Sequence, residues 1–218
     1  MRLKFYALMP TIIDISVPLS PALPVWPGEK HLSITQAASM KNEADYNLTR
    51  LAMGSHTGTH IDAPLHFVDG GKTTAEIPLE KLVGPCQVVD FTGKNKITAT
   101  DLESMNLETG VEKLLFKTGN SRLWDYMGHS FFEDFCALTA DAAQWVVDRG
   151  IHLVGIDYLS IQLFNDPPDT HVILLSNEVV IVESLDLRQV GPGKYRLICL
   201  PLKIEGVEGT LARAVLER

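Results

Sequence analysis

The chain has 218 residues, 45% of them hydrophobic and 21% charged, the balance of a globular protein long enough to bury a core without disulfide or metal staples. Its formal net charge of -8 disfavours nucleic acid and anionic membrane as partners, but not an anionic substrate, because a bound divalent cation inverts the local field. Cys86, Cys136 and Cys199 are odd in number and form no C-x-x-C pair, which argues against a disulfide framework and for buried thiols in a cytoplasmic protein.

Taken in chain order, Arg2 and Lys4 precede an apolar run over 5–9, but Pro10 and Asp14 interrupt it. No small-residue cleavage pattern follows, so no secretory leader is expected, and no apolar run reaches the length of a membrane span. Residues 12–17 read as a strand ended by Pro18, and 18–28 as an irregular proline-rich loop with Trp26 between Val25 and Pro27. Strand propensity and partial alternation mark 31–37 and 46–52. Residues 86–91 form a short apolar strand closed by the turn Thr92-Gly93-Lys94-Asn95. Thr100 and Glu103 have the spacing of a capping box and predict a short helix there. Residues 114–117 read as a strand. A helix is predicted over 139–149, with Thr139 as its cap and Gly150 as its end. Further strands are expected over 153–157, 179–182, 195–202 and 211–216. Strands outnumber helices and do not alternate regularly with them, so the expected fold is mixed α/β: a strongly curved or barrel-like mixed sheet with a few helices outside. With no repeat, low-complexity tract or linker, residues 1–218 read as one domain.

The chemistry concentrates in His56-Thr57-Gly58-Thr59-His60-Ile61-Asp62-Ala63-Pro64-Leu65-His66. Gly58 and Pro64 make a regular helix there improbable. His56, His60, Asp62 and His66 are all even-numbered, so an extended segment would turn His56, His60 and Asp62 to one side. Gly58 would then let an ion or substrate approach the backbone between the histidines, and His66 would lie beyond the bend at Pro64. Imidazole and carboxylate donors without a thiolate suit a catalytic zinc, manganese or iron(II) centre rather than a closed structural zinc site. His171 and Glu183 flank the apolar residues 172–175 and 179–182 and are weaker candidates when read alone. His31, His129 and His152 read as surface or structural. Asp157 either orients a ligand or caps a turn, and Trp26 is either a stacking surface for a ring or a loop anchor.

The eleven-residue segment resembles the H-x-G-T-H-x-D-x-P-x-H signature of the cyclase family, whose best-characterised members are the bacterial-type kynurenine formamidases (arylformamidases), with isatin hydrolase nearby. The similarity continues through Val25-Trp26-Pro27-Gly28, Val83-Gly84-Pro85-Cys86, Asn120-Ser121-Arg122-Leu123-Trp124, Val154-Gly155-Ile156-Asp157 and Leu200-Pro201-Leu202-Lys203. The resemblance implies a swivelling β/β/α type of fold and a homodimer or higher homo-oligomer. It implies His56, His60 and Asp62 as ligands of a first metal, with Asp62 bridging to a second ion that His171 and Glu183 complete. It further implies His66 as the acid/base residue and Trp26 in the substrate pocket. One stretch departs: after Gly-Ile-Asp the formamidases carry Thr-Pro-Ser and a downstream acidic residue, where this chain has Tyr158-Leu159-Ser160-Ile161-Gln162.

The expected activity is hydrolysis of an amide C–N bond by metal-activated water, with zinc or manganese at two ions per subunit and His66 moving the proton. An arylformamide such as N-formylkynurenine, a step of tryptophan catabolism, is the first expectation for this small-molecule substrate. Trp26, Trp124 and Tyr158 are its candidate aromatic walls. A cyclic amide such as isatin is the alternative. A cyclase or lyase shares the same centre, and a metal-dependent binding protein would need the ligands but not His66. In an oligomer, the Trp26 loop is expected to pack at a neighbour's active-site mouth.

Overall fold

The computed structural model describes residues 11–126, 128 and 130–218; the leader-like run and His129 lie outside them. The strands are β1 (Ile12–Asp14), β2 (Ser33–Ala38), β3 (Leu48–Ala52), β4 (His60–Asp62), β5 (Val83–Phe91), β6 (Lys113–Thr118), β7 (Leu153–Ile156), β8 (Val180–Glu183), β9 (Gly193–Pro201) and β10 (Gly209–Glu217). The α-helices are α1 (Leu79–Leu82), α2 (Ala99–Ser104), α3 (Ala140–Asp148) and α4 (Asp169–Ser176). β10-β4-β8-β7-β6-β5-β9 pair in that order and β9 returns to β10, which closes a seven-stranded barrel; β1 extends it by pairing with β10. β5 through β8 run parallel, and the remaining barrel pairings are antiparallel. The barrel-like mixed sheet expected from the sequence is therefore present.

Side-chain alternation sorts each strand into two cores. Ile61, Leu115, Leu153, Val180, Val182, Leu197 and Ala214 join one buried cluster within the barrel. Leu114, Phe116, Val154, Ile156 and Ile181, one residue out of phase, join the cluster that holds Leu102, Val146 and Leu174 from α2, α3 and α4. On β7, Gly155 faces the barrel core, where a Cβ would lie 2.7 Å from Leu115 Cδ2 and 2.8 Å from Leu185 Cδ1; only a residue without a side chain fits there. A period of two with both faces covered explains why these short strands are almost continuously apolar.

Several expected boundaries move. The strand expected over 12–17 stops at Asp14, and Ser16 makes only an isolated bridge to Leu185. The helix expected at Thr100 begins at Ala99, capped instead by Thr98 and Asp101 in a reciprocal box. Both pairs have capping-box spacing, but Asp101 also pairs with Lys94 at 2.8 Å, which favours the observed register. α3 ends as predicted, with Gly150 at φ +68. Thr139 occupies its cap position, but the hydroxyl donates to the Ile97 carbonyl rather than accepting from the helix. α4 was not expected: the apolar residues 172–175 lack one-face alternation because His171, Leu174 and Leu175 are buried together. β2 and β3 form an antiparallel hairpin outside the barrel. Among the described residues, no helix is long and apolar enough to cross a membrane.

Candidate metal centre

The extended backbone predicted from His56 forms only in part, and the bend predicted at Pro64 is present. Only β4 is strand; His56 arrives through a turn, and Pro64–His66 makes a 3-10 turn after it. Gly58 turns the chain at φ +72, and a Cβ there would fall 2.5 Å from Leu19 Cδ2. Its role is thus the turn and its packing, not the approach of an ion. Side chains alternate as expected within β4: Ile61 enters the barrel core, while His60 and Asp62 take the opposite face. On β8, Glu183 stands directly opposite His60 in the antiparallel register, so sheet pairing itself joins residues distant in sequence. α4 adds His171, and the 3-10 turn adds His66.

The five residues assigned as ligands converge. His56 Nδ1 lies 2.9 Å from Asp62 Oδ1. His60 Nε2 lies 3.4 Å from both Asp62 Oδ1 and Glu183 Oε2. His171 Nε2 is 3.4 Å from Glu183 Oε1 and 4.0 Å from Asp62 Oδ2. Two sets of donor atoms, His56/Asp62/His66 and His60/Asp62/Glu183, each lie within 4.8 Å of one another, and Asp62 belongs to both. His66 stacks on His56 with ring centroids 4.2 Å apart.

Each histidine among the ligand candidates has its far nitrogen held by protein. His60 Nδ1–H donates to the Gly58 carbonyl at 2.7 Å, His171 Nδ1–H to Gln162 Oε1 at 3.2 Å, and His56 Nε2–H to Glu208 Oε1 at 3.2 Å. A neutral imidazole so engaged presents its remaining lone pair to the cluster. The Ile161 N–H donates to Glu183 Oε1 at 2.7 Å and fixes the carboxylate. By contrast, His60 Nε2 and both Asp62 oxygens are buried without a hydrogen bond. Buried polar atoms are almost always satisfied, so nitrogen and carboxylate atoms left in this state, aimed at one another, fit a divalent cation.

The electrostatics agree. Burial alone would push the His60 imidazole down, but Asp62 and Glu183 outweigh it and lift it to about 10. His56 moves up in the same way: burial opposes the shift, and the Asp62 carboxylate carries it. Burial would raise the Asp62 carboxyl, yet His56 and His60 hold it well below the ordinary carboxylate range. Here the imidazoles carry the positive charge that the carboxylates require, a role a cation between them would take over. His66 behaves differently. Burial pushes it down, and the pull of Asp62 does not restore it against its imidazole neighbours, which favours its neutral form.

A pocket of about 420 Å³ opens on the cluster, with Trp26, Phe67, Leu159 and Gln162 in its walls. Trp26 serves in both roles considered for it. It lines the pocket of its own chain and packs edge-on against Phe131 at 5.2 Å. Trp124 and Tyr158 are not pocket walls. Both are buried, and Trp124 Nε1–H donates to the Leu185 carbonyl at 2.9 Å. The aromatic that faces the site instead is Phe67, stacked on His171 at 4.5 Å, which sequence reading passed over although it follows His66 directly. Asp157 lies apart, tying Thr118 at the end of β6 to Ser121 beyond it. His152 pairs with Glu112 at the surface, His31 bonds to the Leu23 carbonyl, and the three cysteines are free and buried.

The profile of the family described as Putative cyclase matches residues 13–162. Cyclase-like protein 1 of Arabidopsis thaliana is 38% identical over 214 residues, covering 94% of this chain and 84% of that protein. The kynurenine formamidase of Bacillus cereus is 36% identical over 205 residues, covering 94% of this chain and 96% of the enzyme. The solved structure of a potential metal-dependent hydrolase with cyclase activity superposes with a TM-score of 0.81 at 35% identity, over 96% of this chain and 98% of that one. With the family profile matched over most of its length and relatives this similar, the chain belongs to the cyclase family.

Proposed function

We propose that this protein is a metal-dependent hydrolase of amide C–N bonds, with an arylformamide such as N-formylkynurenine as substrate. The observation that carries the reading is the set His60, Asp62 and Glu183, whose donor atoms lie within 4.8 Å of one another and whose His60 Nε2 and Asp62 oxygens have no hydrogen bond. His56, His60 and Asp62 would hold one ion, and His171 and Glu183 a second that shares Asp62. Zinc and manganese both suit these donors. A divalent cation bound there supplies Lewis acidity and lowers the pKa of water. His66, neutral and exposed to the pocket, accepts the proton of the attacking water and returns it to the leaving nitrogen. Trp26 and Phe67 form flat walls against which an aryl ring stacks, and the pocket volume of about 420 Å³ suits one ring with a short side chain. The similarity to the Bacillus kynurenine formamidase supports the formamide.

The departure at residues 158–162 bears on substrate choice. Leu159 and Gln162, which flank the retained Ser160, line the pocket, so the stretch that differs from the formamidases lies at the site. The test is therefore initial rate on N-formylkynurenine and on isatin, with zinc and manganese supplied separately. N-formylkynurenine is expected to turn over faster. Rates on both no higher than those of a His66→Ala control would overturn the substrate assignment.

We also propose a single domain over 1–218, a cytoplasmic location and a homodimer. Convergence of residues 26 to 208 on one pocket supports the first, and free buried Cys86, Cys136 and Cys199 support the second. For the dimer, the support is the β2–β3 hairpin, which exposes Ile34, Leu48 and Leu51. A two-stranded ribbon is marginal in water unless something covers it. Light scattering at micromolar protein should give twice the chain mass of 24.1 kDa; a monomeric mass would contradict this.

A further inference from the structure

Besides the five ligand candidates and His66, the carboxylate of Glu208 reaches the centre. Glu208 lies just before β10, on the far side of the His56 ring from Asp62. Its Oε1 accepts from His56 Nε2–H at 3.2 Å and from the Ser55 hydroxyl at 2.7 Å. The next residue, Gly209, pairs with Asp62 across the β10–β4 ladder. A Cβ on Gly209 would lie 2.4 Å from His56 Cε1 and 2.6 Å from Nε2, so the imidazole rests directly on strand backbone. His66 covers its other face.

We infer that Glu208, fixed by Ser55 and seated beside Gly209, is a positioning residue that orients His56 and holds its proton on Nε2, leaving Nδ1 free for a divalent cation. The inference rests on the metal-hydrolase reading above. Its physical basis is that a ligating imidazole binds through one nitrogen, and an acceptor on the other fixes both tautomer and ring plane. His60 and His171 have neutral acceptors in that position, the Gly58 carbonyl and Gln162. His56 alone has a carboxylate, which makes a charge-assisted bond and increases the basicity of the ring. His56 also needs such support most, because it comes from a turn while His60 is fixed in β4 and His171 in α4.

The test is competition for zinc, and separately for manganese, between a chelator and metal-free wild-type, Glu208→Ala and Glu208→Gln proteins, with the melting temperature of each metal-free protein measured alongside. Glu208→Ala is expected to weaken zinc binding by about 10–100-fold while the metal-free melting temperature changes little. Glu208→Gln, which keeps a neutral acceptor, should recover part of that loss. Zinc held by Glu208→Ala within about threefold of wild type would overturn the assignment. Should the alanine variant fail to fold, Glu208→Gln decides: a loss of about threefold or more supports the assignment, and no loss overturns it. Wild-type protein that takes up neither metal would sink the underlying metal-hydrolase reading as well, whereas tight binding in both wild type and Glu208→Ala sinks this assignment alone.

Discussion

Asp62 and Asp157 are both completely buried, each at the end of a short barrel strand, yet their surroundings are opposite. Asp157 accepts from the Thr118 N–H and hydroxyl at 2.8 and 2.6 Å and from the Ser121 N–H and hydroxyl at 3.1 and 2.5 Å. Asp62 has no hydrogen bond to either oxygen and faces imidazole nitrogens instead. Burial by itself therefore does not mark a functional carboxylate. What distinguishes the two is what their lone pairs meet: donors that tie one loop to one strand in the first case, other lone-pair donors in the second. The first arrangement is complete as it stands, and the second has the composition of a cation site.

The largest effect is expected at Asp62. Asp62→Ala should lose metal and activity together, because its carboxylate belongs to both donor sets. Equilibrium dialysis against zinc checks this, and full metal occupancy in the variant would refute it. Next in size, His66→Ala should retain metal and lose about two to four orders of magnitude in turnover. Near-normal rates in that variant would end its proton-carrying role.

At Asp157 the effect should fall on stability. Asp157→Ala leaves the four buried Thr118 and Ser121 donors without an acceptor and should destabilise by about 4 kcal/mol or more, at about 1–3 kcal/mol per stranded group, with zinc affinity of the folded protein unchanged. Urea unfolding checks the first part and dialysis the second. The pH dependence sharpens the contrast. Burial pushes the Asp157 carboxyl up to about 6, against the pull of its four donors. Its folded pKa thus exceeds the ordinary aspartate value of 3.8, so its proton-linked contribution is fully present below that value and lost as pH rises through about 6. Asp157→Asn should remove that part of the fall between pH 4 and 6; an unchanged profile would contradict it. The smallest effect is expected at Gln162, the neutral acceptor behind His171. Gln162→Ala should weaken metal binding by about tenfold, measured by the same chelator competition, and no change would remove Gln162 from the centre.

How much of this was legible depended on the range of the contact. His56, His60, Asp62 and His66 are close in sequence, so their spacing announced a ligand cluster even though only β4 is extended. His171 and Glu183 gained weight only through the family resemblance, because the β4–β8 register that sets Glu183 opposite His60 leaves no local pattern. Glu208 was invisible for the same reason: it reaches His56 through the β10–β4 pairing, and its neighbour Gly209 reads as an ordinary glycine until the ring beside it is seen. The barrel strands were legible from apolar runs bounded by turns. α4 was not, since a helix buried around His171, Leu174 and Leu175 shows no polar stripe to set its period. The Thr98–Asp101 and Thr100–Glu103 boxes were equally good locally, and the ion pair with Lys94, a tertiary contact, favours the first.

On the proposed reading, the unsatisfied cluster around Asp62, and not the satisfied one around Asp157, is a metal centre. The most direct measurement is zinc titrated into metal-free wild-type, Asp62→Ala and Asp157→Asn proteins, read by bound metal per chain and by melting temperature. Saturable binding with a raised melting temperature is predicted in wild type and Asp157→Asn and is predicted to be absent in Asp62→Ala. Equal zinc uptake by wild type and Asp62→Ala would contradict the account.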